Sequence, residues 1–430
     1  MSRGAAGILL GVALLLESCT AAPATAVAPT TTGAPPIVAV SEAPIPSIAP
    51  AEPSPSIAPS ELSPSPVPTR PPPTRCLSAE RHVGPLELVA YCPGGAELVV
   101  EPSIDLADVA VLFAQVEADL AAVQREFAWT LRGRPRIDVF ATTRGYSTGL
   151  RFGFGYSKIT ADWVADNSVA FFEPDLRLIA VNWEAVRDRR PVAAMRHELT
   201  HFVTLEACAP RCDLVPAWLN EGEARLAEAM IPGAEWRMIR VRYEAASMAM
   251  TGTLIPLPRL VTQGQWNAYV DWEGYYKYQE AARATELLRE DVGGPEPIGR
   301  LYARIRRGEN VATAYAGLAG RSFDAFLGSL PARIASAVPA GPGVALTSPG
   351  PEGRGVSYLL FGFAPGSHVD LRVRSRHVDE SQDIEISPQG AYFATLDDRY
   401  PPGDYTIAVA GTSSLTLTKR GGHPKVMLFD

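Results

Sequence analysis

The segment His197-Glu198-Leu199-Thr200-His201 sets two imidazoles and a carboxylate within five residues. On a helix, four residues turn the chain by about 400°, so His197 and His201 leave one face about 6 Å apart along the axis. Both can then reach one divalent cation, and imidazole nitrogen suits Zn²⁺. Glu198 would sit beside the water that such an ion activates. With six histidines in the chain, the pattern is expected by chance well below about 0.01 times. The alternative for the same residues is a solvated helix face that carries two histidines.

A catalytic zinc needs a third protein ligand and an open fourth position. Nineteen residues separate His201 from Glu221, which lies in Val215-Pro216-Ala217-Trp218-Leu219-Asn220-Glu221-Gly222-Glu223-Ala224. Pro216 suits the first turn of a helix, which makes Glu221 a helical residue and the candidate third ligand. Glu223 is the competing carboxylate. Two helical positions turn about 200°, so it points away from whatever Glu221 faces and is expected to be solvated. Trp218 and Leu219 read as core packing between the two helices. Between them, Cys208-Ala209-Pro210-Arg211-Cys212 lets the chain turn back and lay the second helix antiparallel to the first.

Other elements must hold these residues. Leu106, Val109, Phe113, Val116, Leu120, Val123 and Phe127 alternate spacings of three and four, which predicts an amphipathic helix with Ser103 or Asp105 as its N-cap. Arg136–Phe140, Ser168–Phe172 and Arg177–Val181 read as strands, the last two as a hairpin around Glu173-Pro174-Asp175. Beyond Pro191 helices continue to about Ile334, broken near Pro210, Pro256-Leu257-Pro258 and Gly293-Gly294. After Pro339 the texture changes to a period of two at Val369, Leu371 and Val373, at Tyr405, Ile407 and Val409, and at Leu415 and Leu417. Residues 343–430 therefore read as a small Ig-like β-sandwich with no catalytic grouping, His368 and His377 being surface residues.

The 430 residues leave room for two or three folded units. Hydrophobic residues are 47% and charged residues 20%, but 39 prolines is nearly twice the usual share of about 5%. Residues 20–75 hold 16 of them, with no Cys, His or aromatic residue. That stretch cannot form a core and predicts a disordered, semi-extended tether. It follows an apolar run, Gly4–Leu16, too short to span a bilayer, so residues 1–19 read as a signal peptide. Leu16-Glu17-Ser18-Cys19 resembles a bacterial lipobox, which implies lipid attachment at Cys19; simple secretion with cleavage near Ala22 is the alternative. Either way the chain is expected to be exported. In an oxidising compartment, pairing by proximity gives Cys76 with Cys92 and Cys208 with Cys212, one of three connectivities, while a Cys-x-x-x-Cys metal site is the other use of the second pair. A net charge of −8 offers no electrostatic footprint for nucleic acid.

His197-Glu198-Leu199-Thr200-His201 followed by Trp218-Leu219-Asn220-Glu221-Gly222 resembles the gluzincins, zinc peptidases whose third ligand is a Glu, and most closely the peptidase MA-like group of exported bacterial proteins, over about residues 100–335. The resemblance implies an α+β zincin-like domain at 76–338 with a helix-rich C-terminal lobe, ahead of the all-β region. It implies one Zn²⁺ per chain on His197, His201 and Glu221, with Glu198 as general base and a polypeptide substrate. Gly274-Tyr275-Tyr276-Lys277-Tyr278 resembles the Tyr-rich helix start of that group, which implies a phenol for the oxyanion: Tyr278, then Tyr276, with Tyr275 also open. It further implies that substrate pairs with the sheet near the strand Leu178–Val181. Two departures stand out. No Gly-x-Met-Glu-Asn segment is present to grip a free amino terminus, and Arg225 stands where thermolysin-like enzymes place an Asp. The expectation is therefore a membrane-anchored extracytoplasmic endopeptidase. The rival is a cell-surface binding or scaffold lipoprotein that keeps the fold without turnover.

Overall fold

The computed structural model describes residues 74–419, apart from residues 93, 189–190, 234, 270, 348–355, 397–398, 410–411 and 413. The signal peptide, Cys19 and the tether up to residue 73 lie outside the described residues. Those that are described belong to one compact unit. Among them, no helix is long and apolar enough to cross a membrane.

The chain opens with β1 (Arg75–Val83), β2 (Leu86–Tyr91), β3 (Glu97–Val100), α1 (Leu106–Glu126), β4 (Arg136–Phe140), α2 (Thr143–Gly153), α3 (Lys158–Asn167), β5 (Ala170–Glu173), β6 (Leu178–Asn182) and α4 (Trp183–Val186). A disulfide joins Cys76 in β1 to Cys92 just after β2. Asp105 caps α1, its carboxylate accepting from the Ala107 N–H at 2.7 Å. Of the expected stripe Val109, Val116, Leu120, Val123 and Phe127 are buried, joined by Leu112, whereas Leu106 at the helix start is exposed and Phe113 is half-buried; each buried side chain is worth roughly 1.5–3 kcal/mol.

The six strands form one sheet in the order β1-β2-β3-β4-β6-β5, with β3, β4 and β6 parallel and the rest antiparallel. This corrects the expectation about Leu178–Val181. β6 is paired on both sides, to β4 and to β5, so it has no free edge; β5 is the edge strand on that side and β1 on the other. The strands also shift slightly from their sequence ranges. Ser168 is the C-cap of α3, with its hydroxyl turned to the Ala170 carbonyl, so β5 starts only at Ala170. Arg177 adopts φ +53° in the hairpin turn, so β6 starts at Leu178.

Eight helices follow: α5 (Ala193–Cys208), α6 (Ala217–Ala229), α7 (Trp236–Thr251), α8 (Gln263–Asn267), α9 (Asp271–Val292), α10 (Pro295–Arg306), α11 (Val311–Ala319) and α12 (Phe323–Ala335). Their apolar faces join those of α1 and the sheet in one large core. β7 (Gly343–Leu346), β8 (Val356–Phe361), β9 (His368–Arg374), β10 (Asp379–Glu385), β11 (Tyr392–Leu396), β12 (Gly403–Val409) and β13 (Leu415–Lys419) complete the chain. They make a three-stranded sheet, β11-β8-β7, and a four-stranded one, β10-β9-β12-β13. Leu371, Val373, Tyr405, Ile407, Val409 and Leu417, the inward residues of the period-two runs, meet Tyr358, Leu360 and Leu396 of the other sheet.

Candidate metal centre

α5 is enclosed along its length: every residue from Ala193 to Cys208 except Leu205 is buried. A helix in that position is normally apolar all round, yet α5 buries Arg196, His197, Glu198, Thr200, His201, Thr204 and Glu206. Burying such groups without partners costs several kcal/mol each, so their partners reveal their use. Arg196 donates to Glu126 of α1 at 2.6 Å, and Glu206 accepts from the Arg132 N–H at 2.8 Å and from Arg177. These are structural ties. His197 is turned toward α6 and α9, His201 toward α6 and β5, and Glu198 lies within electrostatic reach of both rings.

His197 and His201 lie on one face of α5, ring centroids 4.8 Å apart. The Cys208–Cys212 disulfide closes the turn at the end of α5, and α6 then runs back along it. Glu221 meets both rings: its Oε2 lies 3.7 Å from Nε2 of His197 and 3.6 Å from Nε2 of His201. The three ligand atoms fall within 4.8 Å of one another in a buried setting. Bonds of about 2.0–2.1 Å to one tetrahedral ion put ligand atoms about 3.3 Å apart, so two imidazoles and a carboxylate at these separations fit a metal ion.

Charge supports the same fit. Burial opposes a proton on His197, but the adjoining Glu221 and Glu228 carboxylates outweigh it and raise its pKa to about 10. Glu221 is also desolvated, yet His201 and His197 hold its carboxyl well below the usual range. Carboxylates gathered around an imidazole call for a positive charge between them, which a proton or a metal ion can supply; metal uptake here therefore releases a proton. Burial pushes the Glu198 carboxyl up, against the pull of His197 and His201, which leaves a base stronger than a free carboxylate in electrostatic reach of both rings.

Glu228 was not anticipated. Its Oε2 lies 3.4 Å from Nδ1 of His197, and its Oε1 accepts from Arg225 at 2.6 Å and Arg237 at 3.1 Å. Seven helical positions bring Glu228 back to the face of Glu221, a periodicity that could have marked it. Arg225 thus serves, with Arg237, as a cation that holds this carboxylate. A carboxylate does stand behind His197, and it comes from three residues further along the helix than Arg225.

Glu223 does point away from the histidines, as its helical phase requires, but it is not solvated. It is fully buried and pairs with Arg289 of α9, which also lies 3.7 Å from Glu126. α9 approaches α6 closely because of Gly222: a Cβ there would come within 2.3 Å of Thr285 Oγ1 and 2.6 Å of the Ala281 carbonyl. Trp218 is core, but its stacking partner is Phe323 of α12, not a residue of α5.

That approach brings the Tyr-rich start of α9 to the centre. The Tyr278 ring lies 6.2 Å from that of His197 and packs edge-on against Trp266 at 4.9 Å. Burial, then the nearby Glu221, raises its pKa well above the ordinary value, so it stays a hydrogen-bond donor. Tyr276 faces elsewhere, with its ring against Phe393 of β11. The Tyr275 side chain is outside the described residues. On the sheet side, Phe172 of the edge strand stacks on His201, centroids 6.4 Å apart and planes 12° apart.

The fold has a distant likeness to a solved structure, Legionella pneumophila aminopeptidase A in complex with aspartic acid, at 13% identity and a TM-score of 0.37. The alignment covers 72% of this chain and 35% of that one, so the chain spans about a third of the length of that protein. No family model matches the chain, and no curated protein matches it.

Proposed function

We propose that this chain is an exported zinc metallopeptidase of the gluzincin type that cuts within polypeptides. The observation that carries this reading is the convergence of Nε2 of His197, Nε2 of His201 and Oε2 of Glu221, with Glu198 on the same helix beside them. Zn²⁺ held there would supply Lewis-acid polarisation of a carbonyl and a water of lowered pKa. Glu198, one residue from a ligand and made more basic by burial, takes the proton of the attacking water and delivers it to the leaving amine. Tyr278, kept protonated, donates a hydrogen bond to the oxyanion. Substrate lies extended along β5, which is paired on one side only among the described residues and touches the centre through Phe172.

The absence of a Gly-x-Met-Glu-Asn segment supports internal cleavage, because a substrate ammonium has to be desolvated against carboxylates that such a strand would supply. In this reading the catalytic part is zincin-like and the C-terminal sheets are an Ig-like sandwich, in which Tyr405 donates to the Pro401 carbonyl at 2.6 Å as a corner tyrosine does. Cys19 carries the lipid anchor, and the Pro-rich stretch is the tether to the membrane.

The test is metal content. Protein purified under zinc-replete conditions should hold about one Zn²⁺ per chain, and Glu221→Ala should lose most of it. Metal-free wild type would overturn the reading and leave a binding protein with a peptidase-like site.

A further inference from the structure

Tyr276, Lys277 and Tyr278 stand next to one another on α9, and each faces a different body. Tyr278 faces the metal centre and packs on Trp266. Lys277 grips the end of α8 and the segment after it: its ammonium donates to the Trp266 carbonyl at 2.7 Å and the Tyr269 carbonyl at 2.9 Å, and lies 4.8 Å from the centroid of the Trp266 ring. Tyr276 is turned about 200° from Tyr278 and is held by the three-stranded sheet. Its ring meets that of Phe393 edge-on at 5.5 Å. Its hydroxyl hydrogen-bonds with Ser357 of β8 and Thr395 of β11, which face each other across the strands and are themselves bonded at 2.9 Å.

We propose that the C-terminal β region is a working part of the site, with Tyr276 the positioning residue through which its three-stranded sheet fixes Tyr278 beside the metal ligands. This rests on the peptidase reading for what Tyr278 does, though not for how it is held. A phenol that stabilises an oxyanion must sit within about 2.7–3.1 Å of it, and a misplacement of about 1 Å can cost about 10²-fold in rate. Tyr278 is the eighth residue of α9, past the unpaired N–H groups of the first turn, so the helix fixes its backbone but not where that stretch sits against α5 and α6. Tertiary contacts have to supply the rigidity. Lys277 ties that stretch to the short α8 and the residues just after it, whereas Tyr276 ties it to a sheet that is itself fastened to α7. Ser387 donates to the Met250 carbonyl of α7 at 2.7 Å, and Leu359, Phe361 and Ala391 pack with Ala246 and Val338. The β region therefore holds α7 at one point and the start of α9 at another.

The test uses the full chain with Phe393→Ala, which lies in the sheet and outside the metal centre, and with Tyr276→Phe, which keeps the ring contact and loses the hydroxyl bonds. Zinc content should be unchanged in both. Phe393→Ala should lower kcat about 10-fold with KM unaltered, and should have no further effect in a Tyr278→Phe background. Amide exchange should speed up at residues 276–280 and stay as in the wild type across α5 and α6. Equal losses of kcat in both backgrounds, or faster exchange across α5 and α6 as well, would overturn the proposal. Should Phe393→Ala fail to fold, Tyr276→Phe decides it by the same readouts. If the wild type binds zinc but cleaves no peptide, the peptidase reading falls and the exchange measurement alone decides the positioning: loosening confined to 276–280 upholds it, and unchanged exchange overturns it.

Discussion

The imidazole of His197 stands between two carboxylates of the same neighbouring helix, with Nε2 3.7 Å from Glu221 and Nδ1 3.4 Å from Glu228. In the proposed metal centre Glu221 is the ligand, while Glu228, the nearer of the two, holds the tautomer and orientation of the ring. Burial works against ionised Glu228, but Arg225, His197 and Arg237 hold its carboxyl well below the usual range, so it remains a permanent acceptor. Glu228→Gln should keep the fold and weaken zinc binding about 10- to 100-fold, as read by chelator competition. Unchanged affinity would show that Glu228 only neutralises the two arginines.

Glu223 is the opposite case, a carboxylate on the same helix with no part in the centre. Removing it leaves Arg289 buried at 6% exposure with only the more distant Glu126 for company. Glu223→Ala should cost about 3–5 kcal/mol of unfolding free energy, while the folded fraction keeps its zinc. Denaturant unfolding and metal analysis on the same sample check both halves; loss of zinc from folded protein would make Glu223 a ligand.

Glu280 gives the pH dependence. Burial pushes its carboxyl up to about 8 from an ordinary 4.5, against a hydrogen bond from the Ile255 N–H at 2.9 Å. Between those values the folded chain holds a proton that the unfolded chain has released, so this group's contribution to stability falls as pH rises through the window and is lost above about 8. Glu280→Gln keeps an acceptor for Ile255 and removes the titration. The variant should gain on the wild type by an amount of the order of 2–4 kcal/mol between pH 5 and pH 8. Parallel stability curves for the two proteins would contradict this.

What could be read from the chain follows the range of the interactions. His197 and His201 share a face because helical geometry is local, and Glu221 followed because Pro216 marks a helix start a short turn away. The period-two runs after Pro339 likewise located strands whose inward residues do form a core. Glu223 was misjudged because its partner, Arg289, lies 66 positions along the chain, and nothing near Glu223 advertises it. Strand order is also non-local: Leu178–Asn182 is the second strand of the hairpin and precedes the helix of His197, yet pairing to β4 makes it interior and leaves Ala170–Glu173 as the edge on that side. The contacts of Tyr276 come from Phe393, Ser357 and Thr395, residues of another sheet that helical phase alone could not supply.

The central claim is that Glu198 moves a proton at a metal centre built by His197, His201 and Glu221. Its most direct test is to incubate wild type and Glu198→Gln, at equal zinc content, with an unstructured protein and with a matched peptide whose amino terminus is acetylated, and to map the products by mass. The amide cannot accept the proton, so the variant should bind zinc and lose activity by several orders of magnitude, while the wild type cuts internal bonds of both substrates. Turnover by Glu198→Gln at the wild-type rate, or no cleavage by the zinc-loaded wild type, would contradict the account.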